Sequence, residues 1–190
     1  APAVVRTPAQ EEANPSAFTP APVARDAVAE MDWDTLTDTI NHCQACGLCQ
    51  TRKNTVFGVG QAPATPEAVP QVDWMIIGEA PGENEDLQGE PFVGQAGKLL
   101  DNMLKSIGLA RHQGVFIANV LKCRPPGNRN PAPEEIARCT PYLLRQIELL
   151  QPKIILAMGR FAINTLLAPT VPGVDAIPVG KLRGQVHRFE

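Results

Sequence analysis

The sequence lacks the features that mark membrane and secreted proteins. None of its apolar runs approaches the roughly 18 residues that a membrane-spanning helix needs. The chain starts at Ala1 without an initiator methionine and without the apolar stretch of a signal peptide. These absences predict a cytoplasmic protein without a membrane partner, and they predict that Ala1 is a cut end and not the natural start.

The sequence also lacks the excess of positive charge that a protein coating DNA usually carries. It holds 17 lysines and arginines against 20 aspartates and glutamates, a net charge of −3. Six of the acidic residues fall within residues 1–34, so the remainder is close to neutral. Such a domain can still bind DNA through a local patch, and Lys122, Arg124 and Arg129 lie close together in sequence. The charge neither proves nor forbids a nucleic-acid partner.

The first 28 residues lack any hydrophobic period. They are rich in alanine and proline, which predicts a flexible linker over residues 1–28. The rest of the 190-residue chain is long enough for one core and hardly for two, so residues 29–190 are expected to form a single domain.

Strands and helices alternate through that domain, as they do in α/β proteins. Strands are predicted at Trp74–Ile77, Val115–Leu121 and Ile154–Gly159, with a fourth beginning near Val186. Helices are predicted from Asp32 and over 94–108, 133–151 and 160–167. Ligands of such sheets bind beyond the carboxyl ends of the strands, so we expect functional residues after Ile77, Val120 and Met158.

Two glycine-bounded loops follow the first predicted strand. Residues 78–86 are rich in glycine and carboxylates, and residues 89–94 place Phe92 where its ring could stack on a flat base. An alternative interpretation is a solvated acidic turn with Phe92 in the core. The residues alone leave both open.

The five cysteines are unevenly spaced, and without a secretory signal they favour metal ligands or free thiols over disulfides. Cys43 and Cys46 form a C-x-x-C, whereas Cys123 and Cys139 lie further apart. Iron–sulfur clusters and tetrahedral zinc sites both use four cysteines. A zinc ribbon would usually show two C-x-x-C pairs, and the second pair in this sequence, Cys123 and Cys139, is too widely spaced.

Taken together, these motifs resemble the family 4, or iron–sulfur, uracil-DNA glycosylases. Residues 78–82, Glu85 and residues 91–94 resemble the first signature of that family, and residues 119–126 with Asn128 and Arg129 resemble its next segment. The similarity runs from about Cys43 to Glu190. It implies an α/β fold of three layers, α/β/α, with a central four-stranded parallel sheet. It also implies an enzyme of base excision repair that flips uracil out of DNA and hydrolyses its glycosidic bond.

The resemblance also implies roles for single residues at the base. Asn119 would read uracil, because its amide offers a donor and an acceptor together. Phe92 would stack on the base, and Glu85 would crowd its 5-position and so exclude thymine. Ala80 stands where other uracil glycosylases place a water-activating aspartate, so that base is absent. Glu79 would orient the water or the loop.

The remaining implied residues lie around the base pocket. Gly78 and Ala80 would line it, while Lys122, Arg124 and Arg129 would contact the phosphates of single- or double-stranded DNA. One [4Fe–4S] cluster would be held by four thiolates and would stabilise the fold of a monomer, with Cys49 as a surplus thiol. The implied cluster ligands are Cys43, Cys46, Cys123 and Cys139.

The sequence departs from the family at its last signature, a His-Pro-Ala motif that supplies a catalytic histidine. None of His42, His112 and His187 matches it. This absence predicts that the natural protein continues past Glu190 and that this chain is weakly active or inactive. Alternative functions are a non-catalytic iron–sulfur module that binds DNA or carries electrons, a glycosylase for other bases, and a zinc-stabilised α/β protein.

Overall fold

The computed structural model describes residues 25–63 and 72–189. The helices and strands, in chain order, are α1 (Arg25–Ala29), α2 (Trp33–Asn41), β1 (Val59–Gly60), β2 (Trp74–Gly78), α3 (Glu83–Gln88), α4 (Gln95–Ser106), β3 (Val115–Asn119), α5 (Pro133–Leu150), β4 (Ile154–Ala157), α6 (Arg160–Leu167) and α7 (Val179–Leu182). Within these ranges, no helix is both long and apolar enough to span a membrane.

The four strands form one sheet in the order β1-β3-β2-β4. The central strand β2 is parallel to β3 and to β4. The predicted fold class is confirmed with one difference, because β1 pairs with β3 in the antiparallel direction. The fourth strand is therefore Val59–Gly60, and the prediction of a strand beginning at Val186 is wrong. Val186 is fully exposed and pairs with no strand.

Helices cover both faces of the sheet, because successive strand residues point to opposite sides. Met75 and Ile77 of β2 pack in one cluster with Leu143 of α5 and with residues of α1, α2 and α6. Ile76 points the other way and packs against Leu100 of α4. The outcome is the predicted three-layer arrangement, with the carboxyl ends of β2 and β3 at one edge.

Local sequence explains where the helices begin. The side chain of Asp32 accepts a hydrogen bond of 2.8 Å from Thr35 N and caps α2, so the predicted helix start is confirmed.

Further upstream, Val28 of α1 is buried against the main core. Residues 25–28 therefore belong to the folded domain rather than to the predicted linker, and the rest of that linker lies outside the described residues.

Candidate active site

Gly78 and Asn119 end the two central parallel strands and are paired in register. Asn119 is buried, with 2% of its surface exposed. A Cβ atom on Gly78 would overlap Asn119 Oδ1 and would lie 2.6 Å from Cζ of Phe92. Only glycine therefore allows the amide and the ring to meet above the strand end. The structure brings together three of the five residues predicted at the base pocket.

Phe92 is held in an unusual backbone conformation. Its φ of 54° is in the left-handed region, which is rare for a bulky residue and costs about 1–3 kcal/mol. The ring packs partly against the cluster around Ile76 and stays half exposed. A ring fixed in this way can offer one face to a flat ligand.

Glu85 joins the two loops after β2. Its Oε1 accepts hydrogen bonds from the backbone amides of Val93 at 2.9 Å and Gly94 at 3.0 Å, and its Oε2 accepts one from Gly82 at 3.1 Å. One carboxylate oxygen therefore holds the loop that carries Phe92, and the other holds the loop that leaves β2. The role of Glu85 at the 5-position of a base stays a prediction.

Glu79 and Ala80 lie in the loop that leaves β2, and both are half-buried. Burial raises the pKa of Glu79 above its ordinary value of 4.5, and the Arg160 guanidinium opposes that shift. The loop stays joined to the segment after β3, because Val120 N donates to Gly78 O and Leu121 N donates to Glu79 O, each at 3.0 Å. The two strand ends thus form one continuous rim.

Lys122 does not lie where a phosphate contact requires it. Its side chain is buried and its Nζ donates to Asn119 O at 2.8 Å and to Gln146 Oε1 at 2.7 Å. Burial lowers the pKa of Lys122 to about 8. The prediction that Lys122 contacts DNA is therefore wrong, and its contact is instead with the backbone of Asn119.

Arg124 and Arg129 are at least partly exposed, with 23% and 46% of their side chains accessible. Arg124 Nε donates to Asn128 Oδ1 at 2.8 Å. The two terminal nitrogens of the Arg129 guanidinium, Nη1 and Nη2, donate to the carboxylate of Glu135 at 2.9 and 2.6 Å. Their predicted contact with DNA stays a prediction.

All five cysteines line one small cavity beside α5. Burial raises the pKa of Cys123 to about 11 and that of Cys139 to about 12. Among the described residues, no three Cys, His, Asp or Glu side chains are arranged to hold a single metal ion.

Several hydrogen-bond donors point at the cysteine sulfurs. Arg52 Nη1 lies 3.1 Å from Cys123 Sγ, and the backbone amide of Lys122 lies 3.4 Å from Cys139 Sγ. Tyr142 Oη lies 3.5 Å from Cys43 Sγ. Such donors are the usual partners of sulfur that carries negative charge as a metal ligand. The donor set therefore fits thiolates that bind a metal centre.

A buried carboxylate links the cysteine segment to the loops after β2. Asp86 of α3 is 2% exposed, and its Oδ1 accepts hydrogen bonds from the backbone amides of Lys53 at 2.9 Å and Asn54 at 3.3 Å. Sequence reasoning missed this link, because Asp86 stands in an acidic run that is typical of a solvated turn. Its burial depends on partners far away in the sequence.

Comparisons with known proteins reveal similarity to one protein family and to individual enzymes. Residues 65–187 match the family model described as the uracil DNA glycosylase superfamily. A type-4 uracil-DNA glycosylase of Archaeoglobus fulgidus is 44% identical over 83% of this chain and 73% of its own length. A type-4 enzyme of Saccharolobus solfataricus is 46% identical over 82% of this chain and 68% of its own length. A type-5 uracil-DNA glycosylase of Thermus thermophilus is 28% identical over 73% of each chain.

Proposed function

The chain belongs to the uracil DNA glycosylase superfamily and, within it, to the type-4 uracil-DNA glycosylases, and we propose that it excises uracil from DNA with the pocket of Gly78, Phe92 and Asn119. The observation that carries this assignment is the convergence of the Asn119 amide and the Phe92 ring over Gly78. An amide and an aromatic ring are the two groups needed to read the edge and the face of an extruded base.

Recognition follows from the chemistry of the amide. Asn119 offers an N–H donor to uracil O4 and a carbonyl acceptor to uracil N3–H. Cytosine carries a donor and an acceptor in the reversed places, so the same amide cannot pair with it without turning over. Lys122 holds the backbone carbonyl of Asn119 and thereby helps to fix the orientation of this residue.

The reaction is the hydrolysis of the bond between C1′ of the sugar and N1 of uracil. The bonding electrons leave with N1 as a uracil anion, and water adds to the positively charged sugar and loses a proton. Since Ala80 has no carboxylate, this loop supplies no general base at that position. The carboxylate nearest to Ala80 in sequence is that of the half-buried Glu79, and we propose that it orients the water.

The test is single-turnover release of uracil from an oligonucleotide, with protein in excess. We expect Asn119→Ala to abolish the preference for uracil-containing over cytosine-containing DNA in both release and binding. Asn102→Ala, which removes an exposed asparagine of α4, should leave both unchanged. Release at the spontaneous rate together with equal affinity for the two DNAs would contradict the proposal, and it would favour a non-catalytic DNA-binding module.

We further propose that the cysteine cavity holds one [4Fe–4S] cluster. Cys43, Cys46, Cys123 and Cys139 would be the ligands, and the bound cluster would supply a rigid cross-link between distant parts of the chain. The hydrogen bonds of Arg52 and Tyr142 to the cysteine sulfurs support this choice.

Analysis of protein purified without oxygen tests the cluster. We expect broad visible absorption and about four iron and four sulfide per chain. Cys46→Ser should lose most of this iron, whereas Cys49→Ser, in the same cavity, should retain it. Stoichiometric zinc without sulfide would contradict the proposal. Equal iron loss in both variants would place Cys49 among the ligands.

Arg124 and Arg129 are our proposed contacts to the DNA backbone, on a protein that acts as a monomer. Both lie on the segment that follows Asn119, and both are accessible at the surface. Phosphate contacts of this kind carry no base specificity. They would hold single- or double-stranded DNA while the pocket selects the base.

A further inference from the structure

Arg111 holds the backbone on which the Phe92 ring depends. Its Nη1 donates to Pro91 O at 2.8 Å, and its Nη2 donates to Phe92 O. Its Nε donates to Asp101 Oδ1 at 2.6 Å. The side chain is mostly buried, with 16% exposed. One guanidinium thus binds two successive carbonyls and a carboxylate, which matches its planar set of five donors.

Helix α4 supplies the support for this contact. Gly97 lies so close below the loop that a Cβ atom there would overlap the carbonyl of Phe92. Asp101, four residues further along, is on the same face of the helix. The helix therefore provides the space for the carbonyl of Phe92 and the anchor for the guanidinium.

The opposite side of Phe92 is held independently. Glu85 accepts from the amides of Val93 and Gly94, which follow Phe92, while Arg111 binds the carbonyls at and before it. The left-handed φ of Phe92 is thus imposed by charged groups on both sides. Removing one of them frees the peptide to turn toward the conformation that a bulky residue prefers.

From this geometry we propose that Arg111 is a positioning residue for base recognition, which keeps the Phe92 ring over Gly78 and Asn119. The inference rests on the proposed function, because the ring would stack on uracil. Arg111 acts through Phe92 and not by contact with the base. Lysine cannot replace it, since a single ammonium cannot bind both carbonyls and Asp101 in one plane.

A double-mutant cycle on uracil release tests this coupling. We expect Arg111→Ala to lower the single-turnover rate about tenfold or more, as displaced substrate-positioning groups do. Phe92→Ala should lower the rate at least as much, and adding Arg111→Ala to it should cause no further loss. Arg111→Lys should behave like Arg111→Ala, and the exposed Arg183→Ala serves as the control. Losses that multiply in the double variant would overturn the proposal.

A second measurement needs no uracil and so separates this inference from the proposed function. The phenylalanines are replaced by 4-fluorophenylalanine, and the ¹⁹F resonance of residue 92 is assigned by its absence from Phe92→Leu. Arg111→Ala should shift or broaden this resonance and leave the other phenylalanine signals in place. An unchanged resonance overturns the inference even if uracil is released. A shifted resonance in a protein that releases no uracil supports the positioning and refutes the function.

Discussion

The absent side chain of Gly78 gives the pocket its shape. Adding one methyl group there should damage the site without removing any polar group. In Gly78→Ala the new Cβ would collide with the Asn119 amide and stand 2.6 Å from the Phe92 ring. One or both must move, so we expect uracil release to fall about tenfold or more. Gly180→Ala is the matched control, since a Cβ there meets nothing within 4 Å. Single-turnover rates for both variants decide the point, and equal rates would refute the crowding.

The raised pKa of Glu79 predicts that the rate depends on pH. Burial raises its pKa, so the carboxylate takes up a proton at a pH above the ordinary 4.5. If the ionised form orients water, the rate is full above the raised pKa and falls as the pH drops through it. We expect this acid limb to vanish in Glu79→Gln, with a low rate at all pH values. Glu83→Gln, at an exposed position, should keep the limb. An acid limb that survives in Glu79→Gln would assign it to another group.

At the scale of elements, the first turn of α5 is stabilised by a buried carboxylate. Glu135 accepts hydrogen bonds from Ala132 N and Arg129, and the Arg129 hydrogen bond holds the pKa of Glu135 below its ordinary 4.5. A lowered pKa contributes stability that is present above the ordinary pKa and is lost as the pH falls through the lowered one.

Glu135→Gln should therefore lower the melting temperature at pH 7, by an amount equivalent to about 1 kcal/mol, as the loss of a helix cap does. The difference from the unaltered protein should shrink as the pH falls below 4.5. Glu134→Gln, exposed in the same turn, should change little. Thermal unfolding across this pH range is the measurement. A difference that does not depend on pH would mean that packing alone is lost.

At the scale of the whole molecule, DNA binding must overcome a net charge of −3. If only Arg124 and Arg129 contact phosphates, the logarithm of the binding constant should fall with the logarithm of salt concentration with a slope of about −2 on duplex DNA. Arg124→Ala should make that slope shallower by about 1. Lys105→Ala, at an exposed position on α4, should leave it unchanged. A much steeper slope in the unaltered protein would reveal contacts beyond these two arginines.

The sequence was sufficient for the main strands and for the pocket. Long apolar runs predict β2 and β3, and the family resemblance of the motifs at their ends implies that Phe92 and Asn119 meet at one base. Strand β1 was missed because two residues carry no alternation. Lys122 was misplaced because a lysine is buried only where acceptors meet its ammonium group. One of its two acceptors, Gln146, is 24 residues away in the sequence. Arg111 stands in no motif, and its importance depends on a helix that lies before it in the chain.

Because the chain is synthesised from its N-terminus, the hydrogen bonds of Asp86 form only after the first cysteine segment has been made. The segment with Cys43 and Cys46 leaves the ribosome before α3, which holds it through Lys53 and Asn54, and long before Cys123 and Cys139. Domains fold as units during translation. Cys43 and Cys46 therefore remain in the unfolded nascent chain until Cys123 and Cys139 have emerged. The thiols are then open to oxidants, and the speed of elongation through residue 139 decides how long that exposure lasts.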